Sequence, residues 1–129
     1  MVDIPVQEQI KDVIMNYFWQ VDMKNIDGLM ACFHEDAVVN FLDTVLDGLS
    51  AIREFYAVLL EANPHMKHLP YSAIVDDVTG DEAHARVRYY ADGTGEGSFT
   101  WGYSLLSFKR KNNSWLIKSY DAKLWPVEK

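Results

Sequence analysis

The sequence predicts an α+β fold with its helices in the first half and long antiparallel strands in the second. Two observations in the 129 residues carry this. Apolar residues recur at spacings of three and four up to about residue 62, and beyond residue 65 apolar and polar residues alternate with period two. No repeat, low-complexity segment or linker divides the chain. With 49% hydrophobic residues, 1–129 reads as one domain around one core. Helices followed by strands place the helices on one face of a single sheet.

The first helix opens with Pro5 in its first turn behind an Asp3 or Ile4 cap. Ile10, Val13, Ile14, Tyr17 and Val21 form its apolar stripe. A short second helix runs from about Asn25, a good N-cap, to Phe33. Residues 37–42, AVVNFL, read as a strand, and Asp47-Gly48 as a turn. Ser50 is placed to cap a third helix that ends near Ala62, before Asn63-Pro64. A strand then carries Ala83, Ala85, Val87, Tyr89 and Ala91 on one face, with His84, Arg86, Arg88 and Tyr90 on the other. In the next, Phe99, Trp101, Tyr103 and Leu105 alternate with Ser98, Thr100, Gly102 and Ser104, and a slip of phase at Leu105-Leu106 suggests a β-bulge. Asn112-Asn113 turns the chain into a last strand from about Trp115 to Leu124.

Composition excludes several functions. A formal net charge of −7 and a pI near 4.9 disfavour nucleic acid and anionic membrane surfaces, which need clustered Lys and Arg. The basic run Lys109-Arg110-Lys111 reads as a solvated hairpin end. There is no apolar run of about 18 residues, and MVDIPVQEQI lacks a signal peptide's pattern, so a cytoplasmic protein is expected. The single cysteine, Cys32, reads as a small core residue. His34 and His84 read as surface residues. His65 and His68 form an HxxH, but three residues apart on a strand they face opposite ways and no third ligand offers itself; neither a metal nor another cofactor is expected.

Two features point to a pocket. The chain has 6 Phe, 4 Trp and 7 Tyr, several on strands beside small residues, an arrangement that suits a curved sheet around a cavity with polar groups in an apolar wall. The second feature is Asp22, in the last turn of the first helix. A carboxylate there opposes the macrodipole at about 0.3–1 kcal/mol when exposed, and it flanks the apolar stripe. It is either a surface residue beside Lys24 or a buried group that must be paired.

The succession of VD near the end of the first helix, then NIDGLMACFHEDAVV, then LDGLSAIREFY, then a His entering the next strand resembles the SnoaL-like branch of the nuclear transport factor 2-like superfamily, over nearly the whole chain. The resemblance implies a cone-shaped α+β barrel: three N-terminal helices packed into a strongly curved, mixed but mainly antiparallel sheet enclosing a pocket. The motifs are most similar to those of scytalone dehydratase and hexachlorocyclohexane dehydrochlorinase. In both, an Asp near the end of the first helix and a His at the start of a long strand remove a proton beside a leaving group. Asp22 matches that Asp, and His68, in HMKHLPY, matches that His. The second His of scytalone dehydratases falls near Phe99 here, and the late-strand Arg of the dehydrochlorinase near Tyr120, so both of those groups are missing.

On this reading His68 is a general base and Asp22 holds its tautomer. A tyrosine polarises the substrate's oxygen; Tyr17 is the catalytic candidate, with Tyr89, Tyr103 and Tyr120 further pocket residues and Phe41, Phe55 and Trp101 pocket walls. The resemblance thus implies a cofactor-independent dehydratase for a small apolar polyketide-, terpenoid- or steroid-like substrate. An isomerase, a polyketide cyclase or a non-catalytic binding module are the alternatives. It also implies a homodimer or homotrimer formed through the sheet.

Overall fold

The computed structural model describes residues 4–93 and 99–124. Its elements are α1 (Val6–Asp22), α2 (Ile26–Met30), β1 (Phe33–Phe41), β2 (Thr44–Asp47), α3 (Leu49–Ala62), β3 (Lys67–Thr79), β4 (Glu82–Asp92), β5 (Phe99–Lys111) and β6 (Ser114–Leu124). The six strands form one sheet in the order β2-β1-β6-β5-β4-β3, which is mixed because β1 runs parallel to β6 while every other pair is antiparallel. The sheet does not close into a complete barrel. Its inner face is covered by the helices, α1 lying against β3 and β6 and α3 against β1 and β2.

The stripe read in the first helix is the buried face of α1, where Ile10, Ile14, Tyr17, Phe18 and Val21 are all 3% exposed or less. Helix entry differs from the sequence reading in two places. Pro5 is itself the N-cap of α1, so Ile4 lies outside the cap and Asp3 outside the described residues. Gly48, not Ser50, is the N-cap of α3: its φ of 94° lies in a region that suits glycine, and that geometry carries the chain directly from β2 into the helix. Asn25 does cap α2, its side chain accepting from the Gly28 N–H at 3.1 Å.

The second helix stops at Met30 rather than Phe33, because Phe33 already pairs in parallel with Ile117. The strand read at 37–42 therefore begins four residues earlier, and Thr44–Asp47 forms a separate hairpin strand. Local propensity cannot reveal a pairing made with a residue 84 positions away.

On β4 the alternation is as read, with Ala83, Ala85, Val87 and Tyr89 buried. The bulge is not where β5 suggests it. Gly102, Ser104, Leu106 and Phe108 all face inward without a slip, and the register instead shifts opposite Lys118, the extra residue of β6. That residue is why β6 buries Trp115 and Ile117 but then Tyr120 and Ala122. Asn112 and Asn113, both at positive φ, make the β5–β6 turn.

Two single-residue readings are also settled by packing. Cys32 is a core residue, and burial pushes its thiol up to about 11. His34 is not a surface residue: it is 8% exposed, its Nδ1 accepting from the Asp36 N–H. His84, by contrast, is exposed beside Asp77.

Candidate active site

Asp22 ends α1 and His68 begins β3, and the packing of α1 on β3 brings them together. The Asp22 carboxylate takes two hydrogen bonds from one residue: the His68 main-chain N–H donates to Oδ2 at 2.8 Å, and His68 Nδ1 lies 2.7 Å from Oδ1. These two contacts offset the opposing helix dipole and partly replace the water lost on burial, the two side chains being 21% and 12% exposed. Lys24 is not the partner of Asp22. Its ammonium reaches the Met66 carbonyl at 3.2 Å, tying the end of α1 to the entry of β3.

A carboxylate only accepts hydrogen bonds, so His68 Nδ1 carries the proton and Nε2 presents its lone pair. The imidazole lies against two adjoining aromatic rings, with centroids 5.4 Å away for Phe18 and 5.8 Å for Tyr89. A cleft of about 310 Å³ lies on the opposite, outer face of the sheet at this end of β3, lined by Lys67, Leu69, Tyr90, Asp92 and Phe99 with His68 at its edge.

Behind this pair the interior is built from tyrosines. The Tyr17 and Tyr56 hydroxyls are hydrogen-bonded to each other, and the Tyr17 ring lies 4.6 Å from that of Tyr120. Tyr89 packs on Phe18 at 5.2 Å. Burial holds the phenols of Tyr17, Tyr56, Tyr89 and Tyr120 above the ordinary tyrosine range. The sign of the linkage follows. Above about pH 10 the unfolded chain loses these protons while the folded chain keeps them, so the stability they contribute is complete below that pH and is lost as pH rises through it. In an alkaline titration followed at 295 nm, the phenolate signal of these four of the 7 tyrosines is expected to appear together with loss of far-ultraviolet circular dichroism. Ionisation of all seven in a folded protein would contradict their burial.

The other sequence candidates divide. Asp22, His68, Tyr17, Tyr89 and Tyr120 come together on the inner face. Phe41 and Phe55 stack on each other at 5.0 Å between β1 and α3, and Phe55 also lines a groove of about 520 Å³ along α3. Trp101 and Tyr103 do not join the site: they lie on the outer face of β5, Trp101 being 47% exposed. The cause is steric. The inner positions of β5 are Gly102 and Ser104, small because the Tyr89 ring occupies the space above Gly102.

The sequence reading passed over Tyr56, Phe18, Gly102 and Ser104. Tyr56 carried a signal, since Ile52, Tyr56 and Leu60 are spaced by four on the buried face of α3.

A family model for the SnoaL-like domain matches residues 3–121. The chain belongs to the SnoaL-like family. Solved structures share the fold of this SnoaL-like domain. A candidate aromatic ring hydroxylase from Novosphingobium aromaticivorans is 25% identical, covering 97% of this chain and 94% of its own, with a TM-score of 0.84. A candidate scytalone dehydratase from the same organism is 18% identical, covering 92% of this chain and 83% of its own at a TM-score of 0.83. A candidate dehydratase of the nuclear transport factor 2-like family from Streptomyces avermitilis is 16% identical, covering 93% and 96% at a TM-score of 0.83. No curated protein sequence matches the chain. Among the described residues no helix is long and apolar enough to cross a membrane.

Proposed function

We propose that this SnoaL-like protein is a cofactor-independent lyase that dehydrates a small, largely apolar hydroxy-ketone of polyketide, terpenoid or steroid type. The observation that carries the reading is the Asp22–His68 pair, a base of fixed tautomer against aromatic rings. His68 Nε2 takes the proton from the carbon beside the carbonyl. The electron pair left behind forms the new C=C as the C–O bond to the departing hydroxide breaks, and a phenol proton makes that hydroxide water. The buried tyrosines, Tyr17 among them, supply that proton, which returns from the imidazolium. Two of the structural neighbours are candidate dehydratases, in keeping with a dehydration.

Isomerisation or cyclisation would begin with the same proton abstraction, and a binding module would need none. The decisive experiment is exchange of α-hydrogen for deuterium in ketones such as 1-tetralone, read by NMR in D2O. Exchange faster than in buffer, abolished in His68→Ala with the ketone still bound, is the expected result. Binding without exchange would favour the binding module.

We also propose that the outer sheet face packs on a second copy of the chain. Leu69, Tyr71, Ile74, Phe99, Trp101 and Leu105 are each more than 40% exposed on or beside β3 and β5, a contiguous apolar surface of the sort monomers rarely leave open. The same face carries charges of both signs, among them Arg86 paired to Asp76, so two copies can meet without like-charge conflict.

A further inference from the structure

Tyr89 is distinguished from the other inner tyrosines in three ways. It is the least buried, at 9% exposed against 3% for Tyr17, 1% for Tyr56 and 2% for Tyr120. It is packed beside the base, 5.8 Å from the His68 ring. Its phenol end lies directly on the β5 backbone: a Cβ at Gly102, its cross-strand partner, would stand 2.6 Å from Cζ and 2.7 Å from the hydroxyl oxygen. Any other residue at 102 would push the ring away.

One residue pair further along the inner face is Ser104. It is fully buried, and no bond of ideal geometry fixes its Oγ. The Tyr89 and Tyr120 hydroxyls are the polar groups beside it. Each of these three hydroxyls has one proton and can accept as well as donate. The Tyr89 oxygen can accept from Ser104 Oγ–H whichever way its own proton points, which leaves the Tyr89 O–H free to donate to a ligand oxygen.

We infer that the Tyr89 hydroxyl donates the hydrogen bond that polarises the substrate's carbonyl oxygen, with Gly102 and Ser104 as the residues that position it. This rests on the proposed proton abstraction by His68, and it names the substrate class as a ketone. The carbonyl oxygen and the α-carbon of a ketone are two bonds apart, a span that fits between two adjoining rings. As His68 removes the α-proton the C=C of an enol forms, the C=O bond becomes single, and the negative charge developing on oxygen is met by the Tyr89 O–H.

The test uses 1-tetralone labelled with 13C at the carbonyl, bound to the wild type and to Tyr89→Phe, Ser104→Ala, Gly102→Ala and Tyr17→Phe. The carbonyl resonance of the bound ketone is expected to move downfield in the wild type and in Tyr17→Phe, to lose that movement in Tyr89→Phe and Gly102→Ala, and to keep part of it in Ser104→Ala. Deuterium exchange should fall about 10²-fold in Tyr89→Phe and about 5-fold in Ser104→Ala, in kcat rather than KM. A purely structural role for Ser104 would leave the carbonyl resonance where it is in the wild type. A bound carbonyl with no shift, or a shift unchanged in Tyr89→Phe, overturns the assignment even where His68→Ala abolishes exchange. A shift that depends on Tyr89 without any exchange supports the assignment and removes the base reading instead. Failure of the ketone to bind at saturating concentration overturns both.

Discussion

Asp22→Asn is expected to lower turnover by about 10³-fold while ketone binding and overall stability change little. The reason lies in which atom faces which donor. In the wild type both carboxylate oxygens accept, one from the His68 main-chain N–H and one from Nδ1–H. Asparagine has a single acceptor oxygen. The main-chain N–H is an obligatory donor, so the amide oxygen turns to it and the NH2 faces Nδ1. Nδ1 must then accept, the ring proton moves to Nε2, and the lone pair needed for proton abstraction is lost. The 15N resonances of the His68 ring read this directly: the protonated-type signal should exchange between Nδ1 and Nε2 in the variant. Unchanged 15N shifts together with full turnover would mean that the pair only joins α1 to β3.

Trp101→Glu is expected to turn a dimer into a monomer that is otherwise folded. Trp101 is the centre of an exposed aromatic group, its ring 3.9 Å from Tyr90 and 5.9 Å from Tyr71, and Tyr90 continues to Phe99 at 5.6 Å. Within one copy the side chain is half in solvent, so a carboxylate there costs the monomer little. A two-fold interface meets each substitution twice, so two charges lose their water against an apolar surface. Weakening of the dimer by at least about 10³-fold follows. Light scattering on a sizing column at micromolar concentration distinguishes the two masses. A wild-type protein that runs as a monomer under those conditions removes the second-copy proposal.

The fold was legible because burial leaves a periodic mark. The stripe of α1, the alternation of β4 and the Asn112-Asn113 turn could all be read from residues close together in the chain. Asp22 stood out because a carboxylate against its helix dipole and beside an apolar stripe is either exposed or paired, and His68 was named as its partner only through the resemblance to the SnoaL-like family. Burial of His34, the early end of α2, and the placing of the bulge in β6 rather than β5 were not legible. Each depends on a pairing across the sheet, and sequence period alone does not say which of two apolar phases faces the core.

β5 makes the division plain. Trp101 and Tyr103 were read as pocket residues, with Gly102 and Ser104 as their small neighbours on the strand. They lie on the outer face instead, because the large rings that fill the interior here come from α1, α3, β4 and β6, and small residues at 102 and 104 of β5 leave them room. The sequence by itself determined the class of fold, the helices and the chemistry available to the base. Only the tertiary structure decided which side chains share the space around that base, since steric exclusion acts between elements far apart in the chain and leaves no period within any one of them.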